Sequence, residues 1–182
     1  MGQLDWEGMG RDEQIEFLMD EYGEEIKRLI YTYVKDHPAA EDLTQEIFIT
    51  IYLKLGSFAG KSSIRTWIYS VAINKCKDYL KSWHMRKITV QENIKELLKS
   101  SRRGPQDEVI EKLESEQLVD LVLKLAVPYR EVILLYYYKH LSIKEVSEIL
   151  GVSESTVKVR LHRGREKLRM PLEQMERGEV NG

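Results

Sequence analysis

Apolar side chains recur at intervals of three and four residues through most of the chain, the spacing that lines up one face of an α-helix. Tyr22, Ile26, Leu29, Ile30, Tyr33 and Val34 form the first such stripe. Its helix is predicted to stop near Asp36-His37-Pro38, because the residue before a proline leaves the α region. A second helix is predicted from about Ala40 to Lys54, with Leu43, Ile47, Ile51 and Leu55 on one face. A loop over residues 56–63 follows. A third helix is predicted over about Ile64 to Trp83, with Ile64, Trp67, Ile68, Val71, Ala72, Cys76, Tyr79, Leu80 and Trp83 as its stripe. These three elements predict a helical bundle over residues 10–86.

Residues 87–105 carry a weaker pattern and close on Ser-Ser-Arg-Arg-Gly-Pro, the composition of a linker. Pro105 suits the first position of a new helix. Val109, Leu113, Leu118, Leu121, Val122 and Leu125 then run to a break at Pro128, and Tyr129 to Lys139 reads as a further short helix. Ser142 and Glu145 form a capping-box pattern ahead of an apolar run. Gly151, placed to adopt the left-handed conformation, ends the short helix that follows, and Ser153 can cap the last one, Glu154 to Arg169. Two helices joined by a glycine turn of this length are a helix-turn-helix. The prediction is all-α: two small helical domains, residues 10–86 and 111–172, joined by a linker over 87–110.

Composition narrows the function. Of 182 residues, 42% are hydrophobic and 32% charged, too apolar for wholesale disorder and too charged for a membrane protein. No apolar run nears the roughly 20 residues of a transmembrane helix. The N-terminus is acidic and lacks the apolar core of a signal peptide, so a cytoplasmic location is expected. A single cysteine, Cys76, excludes an internal disulfide framework and a cysteine-rich zinc site. His37, His84, His140 and His162 include no i, i+4 pair, so neither metal nor cofactor is expected.

The net charge of −2 argues against nucleic acid until it is resolved along the chain. Residues 1–60 hold 5 basic and 13 acidic side chains, whereas residues 61–90 hold 7 and 1, and residues 156–170 hold 6 and 1. Two short basic stretches in an otherwise acidic chain are the footprint of phosphate-binding surfaces. In the last helix, Val157, Leu161, Gly164 and Leu168 follow one face. Ser155, Val159 and His162 lie opposite, flanked by Lys158 and Arg163, with Arg160, Arg165, Lys167 and Arg169 around them. Short side chains near the helix start, Ser155 and Thr156 among them, let it approach base edges, and guanidiniums reach guanine or phosphate.

In residues 58–87, Phe58, Trp67, Tyr69, Tyr79 and Trp83 alternate with Lys61, Arg65, Lys75, Lys77, Lys81, Arg86 and Lys87. Aromatics on a cationic track suit unpaired bases. Trp67, Tyr79 and Trp83 also lie on the core stripe and read first as core, which leaves Phe58, in its glycine-flanked loop, as the better platform. Ile47 to Leu53 is β-branched enough to mimic a strand, and with Gly56 to Ser62 it imitates a P-loop. Its glycine spacing is short by one and no βαβ alternation follows. Asp36, Glu41, Asp42, Gln45 and Glu46 form an acidic patch that alone reads as a solvated helix start.

Three stretches in order, DHPAAEDLTQEIF, FAGKSSIRTWIYSVAINKCKDYL and LAVPYREVILLYYYKHLSIKEVSEILGVSESTVKVRLHRGREKLR, resemble the extracytoplasmic-function (ECF) sigma factors of bacterial RNA polymerase over about residues 12–172. The resemblance implies a non-enzymatic protein that binds core polymerase, directs it to promoters and assists melting. It implies that Asp42, Gln45 and Glu46 dock on the polymerase. It implies that Phe58, Lys61, Ser62, Arg65, Asn74 and Lys75 take the −10 element. The last helix would read the −35 element, with Lys158, Val159, His162 and Arg163 facing bases. A membrane-anchored anti-sigma protein is a further implied partner. Two positions depart from the family pattern: Gly164 stands where alanine is usual, at a helix cost of about 1 kcal/mol, and Val159 where a small polar residue is common. The linker could span roughly 80 Å when extended, enough for two promoter elements. The competing reading is a helix-turn-helix regulator that binds operator DNA without docking on polymerase. It leaves residues 36–83 unexplained.

Overall fold

The computed structural model describes residues 8–91 and 116–176, with the backbone alone for 83–91, 116–117 and 174–176. The side chains of Trp83, Arg86 and Lys87, the apolar positions Val109 and Leu113, and the linker beyond residue 91 lie outside what it describes. Seven α-helices and no strand occur among the described residues, in two units, each taken by itself.

The first unit holds α1 (Arg11–Val34), α2 (His37–Lys54) and α3 (Ile64–Gln91). Helix α1 begins where Glu13 reaches back to accept from the Gly10 amide at 2.8 Å. It ends at Lys35, which turns left-handed and donates to the Tyr31 carbonyl. Asp36 then caps α2, accepting from the Ala39 amide at 2.8 Å, with Pro38 in the first turn where no intrahelical N–H is needed. Proline thus opens α2 as well as closing α1, and α2 starts three residues earlier than the apolar pattern suggests. Ser63 caps α3 through the Thr66 amide.

Leu18, Ile26, Leu29, Ile30 and Tyr33 of α1 meet Ala40, Leu43, Ile47, Phe48 and Ile51 of α2 in the core, with Leu55 of the 3-10 turn that follows. The sequence Ile47 to Leu53 is therefore helical: burial of Ile47 and Ile51 at i, i+4 overrides its strand-like composition, and the P-loop imitation falls with it. On α3 the buried face is Ile68, Tyr69, Ala72, Ile73 and Cys76, rotated from the predicted stripe so that Trp67, Val71 and Tyr79 are only half-buried. Helix α3 continues to Gln91, into the stretch read as linker.

The second unit holds α4 (Glu116–Lys124), α5 (Val127–Ile133), a π-type turn over Leu134–Tyr138, α6 (Ile143–Leu150) and α7 (Glu154–Glu176). Arg130, nearly fully buried, donates to the carbonyls of Leu123 at 2.8 Å and Leu125 at 3.4 Å at the end of α4. The predicted helix over 129–139 widens after Ile133, with the Lys139 amide donating five residues back to Leu134. The capping box on α6 is present in full, Ser142 and Glu145 serving each other's amides at 2.8 and 3.2 Å. Gly151 ends α6 at φ 66° and ψ 35°, and Ser153 caps α7 through the Thr156 amide. Helix α7 does not stop at Arg169; it carries on through Pro171, which gives up one backbone hydrogen bond.

Gly164 has a packing reason. A Cβ there would stand 3.1 Å from Ile133 Cγ1 and 3.3 Å from Cδ1, so glycine lets α7 lie close on α5. Gly164→Leu is expected to destabilise the second unit by about 1–3 kcal/mol through overpacking, read as a lower midpoint in urea. In the first unit, burial pushes the Cys76 thiol up to about 12. The neutral thiol is the favoured form in the fold, so its stabilising share is complete below the ordinary thiol value and fades as pH rises towards 12. An aromatic disulfide reagent at about pH 8 is expected to label Cys76 only after denaturation, because the thiolate is the nucleophile.

Candidate nucleic-acid interface

Helix α2 turns Asp42, Gln45 and Glu46 outward, all exposed. Ile49 and Leu53 continue that face at four and eight residues beyond Gln45, and they are 60% and 67% exposed. Neither was among the expected site residues. Their signal was present as apolar positions off the buried stripe of an amphipathic helix, but a β-branched run hid it.

Phe58 sits in the loop leading into α3, half-buried, its ring 5.2 Å from that of Trp67. Gly60 at φ 65° allows the turn beside it, where Lys61 is exposed. Ser62 is half-buried and donates at 3.4 Å to the Ser63 carbonyl. Along α3, Asn74 is exposed, while the two cations meet carboxylates of the first unit. Lys75 pairs with Glu46 at 2.8 Å, and Arg65 with Glu25 at 3.3 Å. The Lys75 pair joins an expected −10 residue to an expected docking residue.

Tyr69 corrects the aromatic track. It is fully buried, it donates to the Glu25 carboxylate, and the Arg65 guanidinium lies 5.7 Å from its ring centre, so no base can stack on it. Burial first, and Glu25 second, raise its hydroxyl above the ordinary tyrosine value. Burial works against the charge of Arg65, but Tyr69 and Glu25 more than offset it, and Arg65 stays a cation.

In α7, Val157, Leu161, Gly164 and Leu168 are buried, and this fixes which face looks out. Ser155, Lys158, Val159, His162, Arg163 and Arg165 are exposed there, Val159 at 48%. A shallow groove of about 360 Å³ runs beside them, lined by Ser155, Thr156, Val159 and Arg163 with Pro128 and Tyr129. The Thr156 hydroxyl is engaged with Ser153 at 2.9 Å. Arg160 turns to α5 and donates to Glu131 at 3.1 Å. Among the described residues no group of His, Cys, Asp or Glu side chains is placed to hold a metal ion, and no helix is long and apolar enough to cross a membrane.

An acidic and apolar face, a cationic helix with an aromatic loop, and a basic helix behind a glycine turn are surfaces suited to a protein partner and to nucleic acid; comparison with known proteins gives the class, a transcription initiation factor of the sigma type. Residues 18–85 match the family model of Sigma-70 region 2, and residues 115–168 that of Sigma-70 region 4. The ECF RNA polymerase sigma factors SigW and SigM of Bacillus subtilis are each 33% identical to this chain. The matches cover 85% of this chain and 87% of SigW, and 81% of this chain and 88% of SigM. The sigma factor RpoE of Bartonella quintana, solved with the anti-sigma factor NepR, shares the fold at a TM-score of 0.69 and 21% identity, covering 88% of this chain and 97% of that one. The chain belongs to the ECF sigma factors. It works with RNA polymerase and promoter DNA, directing promoter-specific initiation of transcription. A regulator that binds an operator without polymerase would leave the region 2 match without a role.

Tyr69→Phe removes a donor from the Glu25 carboxylate while keeping the ring. Stability is expected to fall by about 1.5–3 kcal/mol, the range for hydrogen bonds to charged groups, measured by urea denaturation.

Proposed function

We propose that the two units divide the promoter, residues 10–86 docking on core polymerase and taking the −10 element, and residues 111–172 reading the −35 element. The observation that carries this reading is the division of α7, whose buried Val157, Leu161, Gly164 and Leu168 leave Ser155, Lys158, Val159, His162, Arg163 and Arg165 facing outward. Arg163 and Lys158 have the reach for guanine or phosphate, and Val159 offers an apolar contact to a thymine methyl. In the first unit Asp42, Gln45 and Glu46 dock on the polymerase, and Ile49 and Leu53 add apolar area to the same face. Phe58, backed by Trp67, meets an unstacked base of the −10 element, and Lys61, Ser62, Arg65, Asn74 and Lys75 follow the strand.

The contribution is binding energy; no covalent chemistry falls to this chain, and no cofactor or metal takes part. It acts in the cytoplasm with the polymerase. An anti-sigma protein, membrane-anchored, holds it inactive. The support is fold likeness to sigma factors solved with anti-sigma partners, RpoE with NepR and CnrH with the cytosolic domain of CnrY.

Run-off transcription by the reconstituted holoenzyme tests the assignments. Arg163→Ala is expected to weaken use of a matched −35 element by about 1–3 kcal/mol, relaxing preference at one base position; unchanged output and preference would remove Arg163 from the readers. Asp42→Lys is expected to reduce capture of core polymerase while the circular dichroism spectrum stays that of the parent, and undiminished capture would remove Asp42 from the docking face.

A further inference from the structure

Arg160 is a basic residue on the DNA-reading helix, yet its guanidinium is committed inside the protein. It donates to Glu131, 3.1 Å away on α5, and Glu131 is only 3% exposed. Arg160 itself keeps 25% of its side-chain surface, whereas Lys158, Val159, His162 and Arg163 around it are exposed. A carboxylate buried to that degree requires charged, hydrogen-bonded company, and one such partner, Arg160, comes from the helix that must be aimed. The adjacent Arg130 fixes α5 to the end of α4 through the Leu123 and Leu125 carbonyls. One turn further along α7, Gly164 lies against Ile133 of α5. Arg160 and Gly164 are four residues apart, so α5 holds α7 at two successive turns: a polar contact that fixes rotation and a close apolar contact that fixes depth.

We propose that Glu131 is a positioning residue for −35 recognition: it holds Arg160, and through it the rotation of α7, so that Arg160 aims its neighbours at the bases and makes no phosphate contact of its own. This rests on the reading of α7 as the −35 reader. The two roles for Arg160 make opposite predictions at Glu131. If Arg160 were a phosphate contact, neutralising Glu131 would free a cation and remove a nearby negative charge, strengthening binding to any DNA. If Glu131 positions, the same change loosens α7 and erodes discrimination between correct and incorrect −35 sequences.

The experiment measures promoter binding by the reconstituted holoenzyme on matched and scrambled −35 elements over a range of salt, for Glu131→Gln, Arg160→Ala, the double variant and Arg163→Ala. The expected result is a fall in matched-to-scrambled discrimination of about 5-fold or more for Glu131→Gln and Arg160→Ala alike, with little further loss in the double variant because the two share one interaction. The slope of log affinity against log salt stays unchanged for Arg160→Ala. A slope smaller by about one, the mark of a lost phosphate contact, or a gain in affinity on both DNAs for Glu131→Gln, overturns the proposal. Discrimination kept by Glu131→Gln but lost by Arg163→Ala overturns the positioning role alone. Discrimination kept by both overturns it together with the reading of α7. Should Glu131→Gln not fold, Glu131→Leu with Arg160→Met replaces the ion pair by apolar packing. The proposal then requires the parental salt slope, and a slope reduced by about one contradicts it.

Discussion

Helix α7 can bury Val157, Leu161, Gly164 and Leu168 only by turning Lys158, Val159, His162 and Arg163 outward. This coupling of the two faces of a helix is the constraint on which both units depend. Residues three and four apart share a face, so the choice of buried stripe is also the choice of functional surface. In the first unit the same rule turns Asp42, Gln45, Glu46, Ile49 and Leu53 to the outside of α2 once Leu43, Ile47 and Ile51 are inside. Small rotations matter accordingly. The features that fix rotation are polar and specific: caps at Asp36, Ser63, Ser142 and Ser153, and the ion pair between Arg160 and Glu131.

The near-neutral total charge reflects local pairing as well as separate surfaces. Arg65 and Lys75 do not stand as bare cations on α3; Glu25 and Glu46 meet them from α1 and α2. Both pairs are partly exposed, and pairs of that kind contribute about 0–1 kcal/mol. They hold side chains in place without locking them. The part-buried contact of Glu25 with the buried Tyr69, beneath Arg65, is the firmer part of this cluster.

Helix existence, the caps of α6 and most of the buried stripes of α1, α2 and α7 were legible, because the 3.6-residue period dominates there and the caps carry their own residue signatures. The start of α2 was misplaced because Pro38 was read as a stop, although it is equally suited to a first turn. The face of α3 was misjudged: Trp67 and Tyr79 looked like core and Tyr69 stood only among the aromatics of the cationic track, but tyrosine goes inside when a carboxylate such as Glu25 waits for its hydroxyl, and that partner is 44 residues away in sequence. The role of Gly164 was invisible for the same reason. Helix propensity marks it as a weak point, and only the distance to Ile133 shows it as a close-packing position. The inward turn of Arg160 likewise depends on Glu131, 29 residues distant.

The central claim is that one chain reads two promoter elements with two separately built surfaces. Transcription by core polymerase and this protein from a library with randomised promoter sequence tests it most directly, with the parent, a Phe58→Ala variant and an Arg163→Ala variant run in parallel. The account predicts two separated blocks of sequence preference, the downstream block altered only by Phe58→Ala and the upstream block only by Arg163→Ala. A single block, or both blocks shifting together with either substitution, would contradict it.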